Sequence, residues 1–182
     1  MSIPNFLTIL RIVFIPLFII LLSYDSFGAA FFVFGLAAFT DALDGFLARV
    51  LNQQTPLGAY LDPIADKLLL VTSFVAFSIL ELIPVWLTIL VVSRDVIISI
   101  GIIVLRLNLF HIEIKPSILS KCTTCSQMFS ITGAFLVLFL EKGDIALTVL
   151  YCTTGLLTIL SGIHYISRGL TIISYKENGA GE

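Results

Sequence analysis

"TDALDGFLARVLNQQTPLGAYLDPIADKLLL", residues 40–70, places four aspartates, Asp41, Asp44, Asp62 and Asp66, in a chain whose other long stretches are apolar. On helices of 3.6 residues per turn, Asp41 and Asp44 lie about 60° apart and Asp62 and Asp66 about 40° apart, so each pair shares one face. The polar, Pro- and Gly-marked link "NQQTPLG" separates the pairs and predicts a tight helical hairpin. Its two arms are antiparallel neighbours, and their adjoining halves bring four carboxylates towards one point.

The surrounding composition sets the solvent for that hairpin. Of 182 residues, 58% are hydrophobic and 12% charged, and the mean hydropathy is +1.09, well above the apolar share of a soluble domain. An integral membrane protein is expected, all-α, built as one bundle over residues 1–175 with a polar, disordered tail over 176–182. Six spans near the roughly 20 residues a bilayer requires are predicted at 7–24, 29–50, 58–80, 84–107, 117–140 and 146–170. The links "SYDSFG", "ELIP", "LNLFHIEIKPS" and "EKGD" punctuate them. The runs are continuously apolar rather than alternating, which argues against a β-barrel. The first run is expected to be retained, since neither a basic leader nor a cleavage site precedes Phe6.

Orientation follows from the ten Lys and Arg residues. Arg11, Arg49, Lys67, Arg94, Arg106, Lys115, Lys121, Arg168 and Lys176 fall on one side or on the half-helices leading to it, and Lys142 on the other. The positive-inside rule then places both termini and the aspartate hairpin towards the cytoplasm. Asp25, Glu81, Glu141 and Asp144 leave the opposite side mildly acidic.

Taken singly, each aspartate fits an interfacial charge solvated at a helix end. Four at these spacings fit a binding site better, because an uncompensated carboxylate in lipid costs about 2.5 to 3.5 kcal/mol even on the lenient insertion scale. Oxygen ligands without His or Cys nearby favour hard divalent ions, Mg²⁺ or Mn²⁺. Gly45, Ala48 and Gly58 remove bulk beside the carboxylates, which suits close approach of a ribose or phosphate and equally suits small-residue helix packing.

The series Asp41, Asp44-Gly45, Ala48-Arg49, Gly58, Asp62 and Asp66, with its intervals of two, two, eight, three and three residues, resembles the signature of the CDP-alcohol phosphatidyltransferase family at every fixed position. "IPNFLTILRI" at 3–12 is similar to the family's N-terminal segment. The resemblance implies a six-helix membrane bundle, usually dimeric, with an active site open to the cytoplasmic leaflet. It implies that Asp41, Asp44, Asp62 and Asp66 hold two divalent cations and that Asp66 also serves as the base for the acceptor hydroxyl. Gly45, Ala48, Arg49 and Gly58 would belong to the site for CDP-diacylglycerol, with Asn5 and Thr8 at its nucleotide pocket. The other partners implied are an alcohol acceptor, membrane lipids and a second copy of the chain, with no nucleic acid, in a bacterial cytoplasmic membrane.

Within the family, the chain is similar to the branch of phosphatidylglycerophosphate synthases and CMP-forming cardiolipin synthases. The expected acceptor is glycerol 3-phosphate, with phosphatidylglycerol as the alternative supported by "SRDVII" at 93–98 and "KPSILSKCTTCSQ" at 115–127. For acceptor binding, Arg94 and Lys121 are the candidates. Arg94 equally suits a helix-to-helix ion pair beside Asp95, and Lys115 and Lys121 suit snorkelling to headgroups. Arg11 is expected to reach towards headgroups, His164 to be a satisfied polar residue inside the bundle with Arg168 on the same face, and Cys122, Cys125 and Cys152 to be packing cysteines. A divalent-cation transporter is the reading from another class, since intramembrane carboxylates also mark ion pathways. It is disfavoured by the absence of ionisable residues leading through the first three helices from the acidic side.

Overall fold

The computed structural model describes the backbone of residues 3–50, 56–108, 117–140 and 145–179, and the side chains of 9–40, 65–101, 117–139, 145–169 and 171. Among these residues the chain forms six α-helices: α1 Ile3–Ser23, α2 Phe27–Val50, α3 Pro56–Ile79, α4 Val85–Asn108, α5 Ile118–Leu140 and α6 Ile145–Gly179. These follow the six predicted apolar segments to within a few residues at most ends. The largest difference is α6, which runs past residue 170 and through most of the segment expected to be a disordered tail. "YKEN" carries good helix formers, so the helix has no local reason to stop at the last apolar residue.

By length and composition, α5 over Ile118–Phe139 and α6 over Ile145–Gly169 can each cross a membrane, and Ile9–Ser23 and Phe27–Thr40 form shorter apolar helices. The surface agrees with that setting. Phe32, Ile79, Ile118, Phe129 and Ile145 are each at least 66% exposed, while Arg11, Ser73, Arg94, Gln127, Thr158 and Ser161 are buried. Apolar outside and polar inside is the arrangement that lipid favours, because hydrocarbon outside rewards no further burial of Leu or Ile.

The links after α1 and α3 are built by backbone capping. After α1, Ser26 N–H donates to Leu21 C=O at 2.9 Å and Asp25 N–H to Leu22 C=O at 3.1 Å, and Asp25 adopts φ 54°. After α3, Leu82 N–H donates to Phe77 C=O at 2.9 Å and Glu81 N–H to Ser78 C=O at 3.2 Å, with Glu81 at φ 59°. Both are Schellman caps in which an acidic residue takes the left-handed position that glycine usually fills. They tie off carbonyls that hydrocarbon could not satisfy.

The described residues divide into two compact units. The first comprises Met1–Leu82 and Ala134–Lys142, and in it α1 packs on both α2 and α3. Its centre is aromatic. Phe135 lies with ring centroids 4.8 Å from Phe77, 5.1 Å from Phe31, 6.2 Å from Phe34 and 6.3 Å from Phe18. Most of these pairs are edge-to-face or tilted, the geometry that ring quadrupoles favour. Ala30 and Ala37, both fully buried on α2, let the helices close in around those rings.

The second unit comprises Ile83–Gly133 and Gly143–Glu182, where α4 packs on α6 and polar side chains join α5 to α6. Thr123 donates to Leu157 C=O at 3.2 Å. Thr154 shares hydrogen bonds with the Ser126 and Ser130 hydroxyls. Gly155 accepts Trp86 against its backbone, so that a Cβ there would meet Cζ3 at 2.7 Å.

Candidate active site

The signature positions fall on two helices, 41, 44, 45, 48 and 49 on α2 and 58, 62 and 66 on α3. Both aspartate pairs therefore fall within helices, as their spacing requires. Asp66 is half-buried on α3. The side chains of Asp41, Asp44, Gly45, Ala48, Arg49, Gly58 and Asp62 lie outside the described residues, as do those of Asn5 and Thr8 on α1. The buried stripe on α2, Ala30, Phe34 and Ala37, has the period that positions 41 and 44 continue. On α3, Leu70, Ser73 and Phe77 continue the stripe of positions 62 and 66. An all-carboxylate donor set of this kind suits a hard divalent cation.

Arg11 is the feature of this unit that sequence reasoning missed. Expected to reach towards headgroups, it is instead fully buried, at 0% exposure. It lies two turns before Phe18 on the same face of α1, and a face defined by packing does not release one member to the interface. Its helical spacing with Phe18 and Leu22 was the available signal.

In the second unit, Arg94 is 7% exposed. Its Nη1 donates to Asp95 Oδ1 at 2.6 Å. Its Nη2 donates to Ser120 Oγ on α5 and to Ser161 Oγ on α6, each at 2.8 Å. The ion pair is thus between neighbours on one helix, and the two serines make the links between helices that had been expected of a carboxylate. Arg94 Nε is buried without a hydrogen-bond partner among the described residues, as is Gln127 Nε2. A phosphate held by Arg94 without displacing Asp95 or the serines would use Nε–H and the second N–H of Nη1. Lys121, beside Ser120, is exposed.

Two further expectations are corrected. His164 is exposed on α6 rather than satisfied inside the unit, and Arg168, expected on the same face, is exposed with it. Cys122, Cys125 and Cys152 are free and exposed rather than packed. All occupy faces of apolar helices that no other described helix covers, where a small thiol costs little in lipid.

The pattern that defines the CDP-alcohol phosphatidyltransferase family matches residues 1–163. The chain belongs to this family, whose signature its aspartate hairpin carries. It is 33% identical over 185 residues to the human CMP-forming cardiolipin synthase, covering 92% of this chain and 62% of that protein. To the CDP-diacylglycerol–glycerol-3-phosphate 3-phosphatidyltransferase of Blochmanniella floridana it is 33% identical over 184 residues, covering 96% and 95%. The protein of the same name from Pseudomonas fluorescens is 47% identical over 105 residues, 54% of this chain and 53% of that one. The chain spans about three fifths of the length of the mammalian cardiolipin synthases it matches.

Proposed function

We propose that the chain transfers the phosphatidyl group of CDP-diacylglycerol to glycerol 3-phosphate and releases CMP. The observation that supports this most directly is the family match over residues 1–163, within which the whole aspartate signature falls. For the acceptor, the support is the similarity to glycerol-3-phosphate phosphatidyltransferases, one of them along nearly its full length.

In this reading Asp41, Asp44, Asp62 and Asp66 hold two divalent cations, Mg²⁺ or Mn²⁺, which when bound neutralise the pyrophosphate and the departing CMP. Asp66 takes the proton of the acceptor hydroxyl. The acceptor oxygen then bonds to the phosphorus that bears the diacylglycerol, and the bond from that phosphorus to the CMP oxygen breaks with its electron pair leaving on CMP. Gly45, Ala48 and Gly58 leave backbone open to the nucleotide, with Arg49, Asn5 and Thr8 completing its pocket. Lys121 and Arg94 hold the acceptor phosphate. All six helices span a bacterial cytoplasmic membrane, with the hairpin on the cytoplasmic side, and the protein works as a homodimer.

A second reading, CMP-forming cardiolipin synthase with phosphatidylglycerol as acceptor, is supported by the similarity to the human enzyme of that name and by "SRDVII" and "KPSILSKCTTCSQ". One experiment separates the two. Purified protein in detergent is given CDP-diacylglycerol with glycerol 3-phosphate, phosphatidylglycerol, inositol phosphate or serine, and the lipid product is identified by mass. Phosphatidylglycerophosphate is expected, and cardiolipin from phosphatidylglycerol alone would transfer the assignment to the second reading. Excess EDTA, Asp44→Asn and Asp62→Asn should each abolish CMP release. Metal flux across vesicles without CMP release would favour a transporter instead.

A further inference from the structure

Arg94 joins three helices of the second unit, and the cluster it makes is rich in donors and poor in acceptors. A guanidinium only donates, so Ser120 Oγ and Ser161 Oγ both accept from its Nη2, each at 2.8 Å. Elsewhere on α5 and α6 the hydroxyls of Thr123, Thr124, Ser130 and Thr158 donate to a carbonyl four residues back on their own helix. Ser120 and Ser161 differ, because among the described residues neither donates its own O–H. Arg94 Nε–H has no partner among those residues either, and Nη1 gives one of its two hydrogens to Asp95. Two hydroxyls and two N–H groups are thus left without an acceptor around one buried guanidinium. Such a donor set is met by water or by an anion.

The place favours the anion. Ser120 is the third residue of α5, and its N–H is capped by Ser117 Oγ at 3.2 Å, so the cluster touches the positive end of a long helix. Ser120 is half-buried and its neighbour Lys121 exposed, which puts this edge of the cluster near the surface of the unit. A phosphate grips arginine best through two parallel N–H bonds, and either edge of the guanidinium that allows this includes Nη2. Nη2 is occupied by the serines. A phosphate oxygen on that edge therefore meets a serine O–H in place of the second N–H, and the hydroxyl is polarised by the charged donor behind it.

We propose that Ser120 and Ser161 are phosphate ligands of the acceptor subsite. Each hydroxyl accepts from Arg94 Nη2 and donates its own O–H to an oxygen of the acceptor's phosphate, beside the oxygen that Arg94 Nε–H holds. This rests on the reading above in which Arg94 holds that phosphate. The same donors serve the phosphate monoester of glycerol 3-phosphate and the diester of phosphatidylglycerol, so the subsite is defined by the phosphate and the test separates its two sources.

The full chain in detergent is given saturating CDP-diacylglycerol with increasing glycerol 3-phosphate or, in a parallel arm, phosphatidylglycerol, and CMP release is followed. For the acceptor that the wild type uses, Ser120→Ala and Ser161→Ala should each raise the half-saturating concentration about tenfold, the lower end for a hydrogen bond to a charged group. That for CDP-diacylglycerol should not change. Ser120→Thr, which keeps the hydroxyl, should behave as the wild type. Thr154→Val, which removes a hydroxyl between α5 and α6 outside the cluster, should leave both constants unchanged. A second readout needs no turnover: inorganic phosphate should raise the thermal unfolding midpoint of the wild type above that in chloride at equal ionic strength, and both alanine variants should lose the rise. If both variants kept the wild-type half-saturating concentration or the phosphate-dependent rise, the serines would only hold Arg94 in place and the proposal would be overturned. A wild type with no rise over chloride would remove Arg94 as a phosphate ligand and the serines with it. CMP release with neither acceptor would overturn the proposed reaction, and an acceptor subsite with it.

Discussion

Among the described residues each of the two units buries one arginine, in different surroundings. In the first, Arg11 sits at the end of a stripe that is otherwise phenylalanine, alanine and leucine, and the rings around Phe135 hold the helices together. In the second, Arg94 is one member of a polar seam. Ser120, Thr123, Gln127 and Ser130 recur at three- or four-residue intervals on α5, and Thr154, Thr158 and Ser161 on α6, with hydrogen bonds from Arg94 at one end to Ser130 and Thr154 at the other. Among the described contacts, ring packing dominates the first unit and side-chain hydrogen bonds the second. In lipid the distinction matters, because burying an apolar side chain gains little over leaving it among acyl chains, whereas an unmet polar group has no water to turn to.

The largest effect should come from the charged member of the seam. Arg94→Gln removes the guanidinium beside Asp95 and two links between helices, and should lower stability by about 3 to 5 kcal/mol. Thermal unfolding in detergent would measure it. Adding Asp95→Asn should recover part of the loss, and no recovery would mean that the serine links matter more than the charge.

Phe135→Ala should cost about 3 kcal/mol, the lower end for an aromatic truncation. The reference state in detergent is already apolar, so the loss is chiefly ring contact and cavity. A cost below 1 kcal/mol would show that the rings fill space without holding the unit. Thr154→Val, which keeps the shape and removes one hydroxyl of the seam, should cost only about 0.6 kcal/mol, the average for a side-chain hydrogen bond between membrane helices. If Thr154→Val proved worse than Phe135→Ala, the contrast between the units would be reversed.

The helical placement of the signature aspartates was legible because its signals are local. The intervals between Asp41, Asp44, Asp62 and Asp66 place each pair on one helical face whatever the helices pack against, and the polar links mark where those helices turn. Arg94 was legible only in part. Its neighbour Asp95 is visible in the chain, but Ser120 and Ser161 lie 26 and 67 residues away, and only helix packing brings them to one guanidinium. His164 and the three cysteines were misplaced for a related reason. In an apolar helix the side that faces a neighbour and the side that faces lipid carry the same residue types, so hydropathy does not tell them apart.

By itself the sequence determined six helices, their approximate limits, the pairing of the aspartates and the family to which the chain belongs. Each of these depends on period, length or a contiguous motif, and so on residues near one another in the chain. Only the tertiary structure decided that Arg11 is buried within the first unit rather than at the headgroups and that Arg94 binds two serines as well as a carboxylate. It also decided that the thiols face outward. Burial is a property of what lies opposite a residue, and in a helical membrane protein that neighbour belongs to another helix whose register is set by side-chain packing rather than by the chain on either side.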